Sequence, residues 1–296
     1  MTRLITIHDP TSTTLAECVE NLDAWGFDPN EGESVSHAAH WLRRLANNRA
    51  FLGELLVARL KNQNPASAAS IRARQLLLGE GSRGGFELRA TIWPSACEEG
   101  MYAPAPASIA YDLAHDHPFD FLTTGYFGPG YACENFEYDA DAVIGLAGEQ
   151  VEIRRLGCLR LMPSRVLHYR AGRDIHRLQP PASLSVTLNL TSTVTAGRRQ
   201  LAFNPEESLI TGLVENDAVV VMLRLAVALG DAEAIDLAGF IGTDHADERM
   251  RLHAWEALAA RAEDPRACDD VWRRAEKSGS RIVADAARKR RADVAG

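Results

Sequence analysis

The spacing of apolar residues divides the chain into three regions. After Asp9-Pro10-Thr11, residue types that suit a helix start, apolar positions recur at helical intervals from Leu15 to Trp25 and stop at Phe27-Asp28-Pro29-Asn30-Glu31-Gly32. A longer stripe runs from about Ser36 to Lys61, where Ala39, Leu42, Leu45, Phe51, Leu52, Leu55, Leu56 and Leu60 fall at helical spacing. That spacing predicts a second, amphipathic helix. A third helix is expected over Ser67 to Leu78, ended by Gly79-Glu80-Gly81 and Gly84-Gly85.

From Phe86 the pattern changes to short runs rich in β-branched and aromatic residues, separated by Pro, Gly and Asp. Phe86–Trp93, Ile109–Leu113, Phe119–Phe127, Cys133–Tyr138, Gln150–Ile153, Cys158–Met162, Val166–Tyr169 and Leu184–Leu190 are the candidate strands. So many short strands between turns predict a sandwich or barrel, not a parallel sheet with crossover helices. Helical spacing returns from about Pro205, through Val214–Leu229 and Ala234–Phe240, and Asp247–Ala259 resembles the second helix of a HEAT-type repeat. The expected organisation is α+β: a helical segment over 1–85, a β domain over 86–204 and a helical segment over 205–296.

Composition narrows the function classes. With 296 residues, 46% apolar and 24% charged, the chain can bury a core without disulfide staples. Thirty-two Lys and Arg against forty Asp and Glu leave a net charge of −8, so nucleic acid and anionic membrane are poor partners. The one basic run, Arg288-Lys289-Arg290-Arg291, is read as a solvated helix end. No stretch reaches the ~18 apolar residues of a membrane span and the first residues lack the apolar run of a secretion signal, so a cytoplasmic location is expected. Five scattered cysteines, Cys18, Cys97, Cys133, Cys158 and Cys268, form no Cys-x-x-Cys pair and suggest neither a disulfide framework nor a zinc knuckle. Gly79–Gly85 lacks the Lys-Ser or Lys-Thr of a phosphate loop, so neither ATP nor NAD is expected.

Four of the nine histidines, His115, His117, His168 and His176, fall in the β region. Residues two apart on a strand share a face, so His115 and His117 can reach one ion together. The segment from His115 to Gly128, followed by Gly157, Pro163 and His168, resembles the two signature motifs of the cupin superfamily. Phe121 stands where the first motif has its Glu, and Arg165 where the second has its second Gly. The resemblance spans roughly residues 86–200. It implies a small double-stranded β barrel holding a metal by residues of both motifs. The missing Glu is similar to the three-histidine subset, as in the thiol dioxygenases, which implies iron(II). Imidazole also suits copper, nickel or zinc.

The third ligand is open at this point between His168, which the motif spacing picks, and His176, which leads into Leu184–Leu190 with Asp174 two residues before it as a supporting carboxylate. A hairpin centred on Gly172 would set both histidines opposite one another. Arg170, sharing parity with His168, is a candidate for a substrate carboxylate, and Tyr126 for orienting substrate or oxygen. The resulting expectation is a mononuclear non-haem iron oxygenase whose partners are dioxygen and a small polar metabolite, amino-acid-like or thiol, in a chain that could form a homo-oligomer. The alternatives are a redox-neutral isomerase or lyase and a non-catalytic small-molecule sensor.

Overall fold

Thr14 and Glu17 start the first helix, α1 (Leu15–Trp25): Thr14 Oγ1 accepts the Glu17 N–H at 3.2 Å and the Glu17 carboxylate accepts the Thr14 N–H at 2.9 Å. This reciprocal pair satisfies two backbone donors that the helix itself leaves open. The computed structural model of the protein describes residues 3–62, 71–72, 75–82, 84–97, 111–163, 165–195, 197–214 and 218–295. The long stripe expected as one helix is two, α2 (Gly32–Asn47) and α3 (Phe51–Asn62). The break falls at Asn48, whose Oδ1 accepts the N–H groups of Ala50 and Phe51 at 3.3 and 3.2 Å and so begins a new helix.

Where the described residues cover the third expected helix, they are strand. Residues 63–70 and 73–74 lie outside the described residues, and the others make strands β2 (Ile71–Arg72) and β3 (Gln75–Glu80), after an unanticipated β1 (Arg3–Thr6). Leu76-Leu77-Leu78 is a short apolar run whose periodicity cannot separate helix from strand, and pairing with β4 (Phe86–Trp93) decides it. The strands continue with β5 (Ala114–His115), β6 (Phe119–Phe127), β7 (Ala132–Glu137), β8 (Arg154–Arg160), β9 (Arg165–Tyr169), β10 (Asp174–Gln179), β11 (Ser185–Thr195), β12 (Leu201–Asn204) and β13 (Leu209–Leu213). The candidate strand Ile109–Leu113 lies partly outside the described residues, and Tyr111-Asp112 is a turn.

These strands make two antiparallel sheets, one in the order β1-β9-β6-β11-β4-β3-β2 and one in the order β13-β12-β5-β10-β7-β8. The fold class is α+β as expected, but hydrogen bonds do not close the two sheets into the expected barrel. Even-numbered residues of the seven-stranded sheet, among them Leu88, Leu122, Val166, Leu188 and Leu190, pack with Leu22, Leu42, Leu45 and Phe51 of the N-terminal helices. Odd-numbered Phe121, Leu167 and Tyr169 pack with Cys133 and Leu178 of the other sheet. The seven-stranded sheet is therefore covered on both faces, and the N-terminal helices share its core. Strand β13 lies where helix was expected to resume at about Pro205, and the first compact unit is Met1–Val214.

The second unit, Glu215–Gly296, holds α4 (Ala218–Leu229), α5 (Ala232–Asp244), α6 (Glu248–Ala260), α7 (Pro265–Glu276) and α8 (Arg281–Ala295). Asp231, Asp247 and Asp264 cap three of them through side-chain acceptance of backbone N–H groups. Trp255 anchors this unit, its Nε1 donating to Gly242 O at 2.9 Å. The basic run is folded onto acidic partners: Arg288 pairs with Asp285, and Arg291 reaches Asp269 and Glu276 at 2.8 Å each. Among the described residues no helix is long and apolar enough to cross a membrane.

Two glycines separate backbone strain from steric exclusion. Gly84 has φ +74° and open space where a Cβ would sit, whereas Gly130, at φ +72°, would place a Cβ 1.6 Å from Leu161 O. Gly84→Ala should cost about 1 kcal/mol and Gly130→Ala about 3 kcal/mol or more, read from urea midpoints. Equal shifts would contradict this packing of the turn before β7 against the end of β8.

Candidate metal centre

The pairing of β5 with β10 sets His115 directly opposite His176. His117, two residues on, shares the face of His115. The three rings converge: His115 Nε2 stands 2.9 Å from His176 Nε2, and His117 Nε2 stands 3.1 Å from the same atom. One ligand nitrogen from each histidine lies within 4.8 Å of the other two. His115 Nδ1 is 2.9 Å from the Leu113 carbonyl, which can only accept, so the ring proton is on Nδ1 and Nε2 carries a bare lone pair.

Burial decides the charge of these rings. His115 and His176 are almost fully buried. Desolvation lowers the pKa of His115, against the favourable hydrogen bond to Leu113, and pushes His117 well below its ordinary value with the neighbouring His115 adding to the effect. His176 is lowered for the same reasons, burial first and then the other two histidines. Three neutral rings cannot satisfy one another. If His176 Nε2–H donates to His115, the contact with His117 has no proton of its own; if His117 donates to His176, the two bare nitrogens of His176 and His115 face each other at 2.9 Å. Among the described residues His176 Nδ1 is buried without a partner, so the ring's polar contacts there are made through Nε2. One cation would accept all three lone pairs. Two imidazole nitrogens ~2.1 Å from a shared ion and at right angles to it stand about 3.0 Å apart, so the donor set fits a transition metal.

The surroundings hold the donors in place. Asp116, between the two histidines, points to the opposite face, where it accepts the Tyr138 hydroxyl and the Leu201 N–H at 2.6 Å each. It thereby fixes β5 against β12. The turn between β9 and β10 donates the Gly172 N–H to His117 O at 2.9 Å. On the other side, Phe119 and Phe121 pack on the His117 ring with centroids 5.1 and 4.9 Å away, and Tyr169 packs on His176 at 4.9 Å. Phe121 and Tyr169 stack on each other at 4.7 Å, forming an aromatic wall over the three donors.

No family model and no curated protein matches this chain. Similar solved structures include hydroquinone 1,2-dioxygenase from Sphingomonas sp. TTNP3, at 10% identity and a TM-score of 0.27, covering 45% of this chain and 72% of that one. DMSP lyase DddQ from Ruegeria pomeroyi DSS-3 has 17% identity and a TM-score of 0.23; the match covers 45% of this chain and 52% of the lyase, about half its length. A cupin-superfamily sugar phosphate isomerase from Silicibacter pomeroyi DSS-3 has 12% identity and a TM-score of 0.25, covering 51% and 83%.

Of the residues singled out in the sequence, the structure brings together His115, His117 and His176 and places the others elsewhere. His168 is on β9 in the seven-stranded sheet, opposite Leu122, and its Nε2 donates to Asp120 Oδ1 at 3.1 Å. The expected hairpin does not exist as a strand pair, because the Gly172 turn carries the chain from one sheet to the other. Arg170 has no open fork for a substrate. It binds Asp174 through Nε and Nη2 at 3.0 and 2.7 Å and Glu137 through Nη2 at 2.9 Å, closing the turn that supports His117. Asp174 thus serves Arg170 and not His176. Tyr126 faces the N-terminal helices, donating to Arg49 O at 2.8 Å and meeting Phe51 edge-on. The sequence does not mark Tyr169, because Val166-Leu167 is apolar at both parities and hides which face of β9 turns to the histidines.

The lowered pKa values give a pH signature with a definite sign. As pH falls through the ordinary histidine value of 6.5, the unfolded chain takes up protons that the folded, buried rings refuse. Stability is then lost below that pH and this contribution is level above it. Chelator-treated protein should lose urea resistance between about pH 7 and 5, by up to about 1.4 kcal/mol per pH unit for each ring. His176→Phe should reduce the loss by about a third. An unchanged slope in that variant would contradict neutral burial of the cluster.

Proposed function

We propose that the chain is a metal-dependent enzyme of the cytoplasm, a mononuclear non-haem iron(II) oxygenase acting with dioxygen on a small polar metabolite, amino-acid-like or thiol. The observation that carries this reading is the convergence of three neutral Nε2 donors with no carboxylate in the group among the described residues. Bound there, an iron(II) ion would keep open positions for substrate and dioxygen and supply the one-electron chemistry that joins them.

The chain's own part is positioning and exclusion. His115 is oriented by Leu113 O, His117 by the Gly172 turn, and His176 by its register with His115. Phe119, Phe121 and Tyr169 keep water from the donors and offer substrate an apolar surface. A redox-neutral isomerase or lyase would need a group beside the ion to carry a proton. The nearby carboxylates are engaged elsewhere: Asp116 with Tyr138 and Leu201, Asp120 with His168 and the Ala171 N–H, and Asp174 with Arg170. The Tyr169 hydroxyl, which also lies near the donors, is engaged with Asn135 at 3.1 Å and Cys133 at 3.3 Å, and on these engagements we prefer the oxygenase to the redox-neutral alternatives.

Anaerobically purified protein should contain close to one equivalent of iron and should consume oxygen with some member of a panel of amino acids and thiols. His115→Ala, His117→Ala and His176→Ala should each weaken metal binding at least ~100-fold and abolish turnover, while His168→Ala retains the metal. Full metal content in any of the first three, or its loss in His168→Ala alone, would overturn the ligand set. Turnover of a carbonyl substrate without oxygen uptake would overturn the oxygenase.

A further inference from the structure

We propose that the C-terminal helical unit carries a second ligand site, which takes an organic carboxylate with an apolar body. Helices α4, α6, α7 and α8 contribute to a cavity of about 780 Å³, within the ordinary range of small-molecule sites. Trp272, Ala257 and Ala260 supply apolar lining, the indole offering a broad surface and the alanines leaving room beside it. Arg224 of α4, Glu256 of α6 and Arg290 of α8 add charge to the same cavity.

The charges there are unequal. Glu256 accepts from Arg224 Nη2 at 3.0 Å and from His253 Nδ1 at 3.1 Å, and Arg290 Nη2 stands 3.6 Å from its other oxygen. One carboxylate therefore serves two guanidinium groups whose side chains are 56% and 55% exposed. Each guanidinium has five N–H donors, more than a single shared carboxylate can use. Arg261 also lines the cavity, but its Nη1 donates to Val227 O and Gly230 O at 2.6 and 2.7 Å, holding the end of α4. Three arginines against one glutamate give the cavity +2 in a chain whose net charge is −8. A cationic pocket in an acidic protein attracts a small anion. The guanidinium forks suit a carboxylate head, and the indole and alanines suit an apolar body.

A site of this kind behaves differently from an ion cluster that merely pins helices together. If Arg224 and Arg290 bind a ligand carboxylate, Glu256 competes with that ligand for them, and removing its charge strengthens binding. The experiment is calorimetric titration of the full-length, chelator-treated protein with sodium octanoate, which leaves no metal to bind the anion, and with 1-octanol as the neutral counterpart. Octanoate should bind once per chain, about 10-fold more tightly than octanol, and about 10-fold more weakly in Arg224→Met or Arg290→Met. Glu256→Gln should bind octanoate about 5-fold more tightly. Absence of saturable octanoate binding, equal affinity for octanol, or unchanged or weaker binding in Glu256→Gln would each overturn the proposal. Both arginines are half exposed, so their variants should fold. The result is independent of the metal centre in the first unit.

Discussion

Three neutral imidazoles with their Nε2 atoms 2.9 and 3.1 Å apart in a buried place are the constraint on which the rest of the first unit depends. Lone pairs at that distance repel unless a proton or a cation lies between them, and burial keeps the protons off. The arrangement exists because β5 and β10 pair with His115 opposite His176. A slip of one residue would turn His176 to the outer face and bring Ile175 or Arg177 in its place. Asp116 guards that register from the other side of the strand, where it is fully engaged by Tyr138 and Leu201. The N-terminal helices serve the same end less directly. By covering the outer face of the seven-stranded sheet, they let its inner face carry the aromatic side chains that close over the histidines.

The division between apolar and charged surroundings follows from the chemistry of the donors. Charged pairs are kept apart from the donors: Arg170 with Asp174 and Glu137, Arg173 with Glu137, and, on the opposite face of β7 and β10 from His176, Arg177 with Glu134 and Glu206. They fasten β7 to β10 while the three donors sit among Phe119, Phe121 and Tyr169. Arg170 is therefore a positioning residue for the turn behind His117. The second unit follows another pattern, in which small residues leave a cavity and arginines surround its single carboxylate.

Much of this was legible in the chain, and what was not depends on contacts distant in sequence. The shared face of His115 and His117 follows from strand parity alone, and the short strands after Phe86 follow from their residue types and turns. The sequence does not separate His168 and Arg170 from the site, because a glycine turn reads the same whether it joins neighbours in one sheet or crosses between two. The Leu76-Leu77-Leu78 run is compatible with helix or strand because a short apolar run has no period, and only its partner β4 makes it a strand. Asn48 splits one helical stripe into two while leaving its apolar spacing unbroken, so the split shows only in the hydrogen bonds of Ala50 and Phe51. The cavity of the second unit is assembled from four helices, and no local motif announces it.

The central claim is that His115, His117 and His176 together hold one divalent transition metal. X-ray absorption on the iron-loaded protein tests it most directly, because imidazole rings give outer-shell scattering that carboxylates and water lack. The account predicts a shell of nitrogen or oxygen neighbours near ~2.1 Å, with outer-shell features of three imidazoles and no sulfur. A shell dominated by carboxylate or water oxygen, one containing sulfur, or one with fewer than three imidazoles would contradict it.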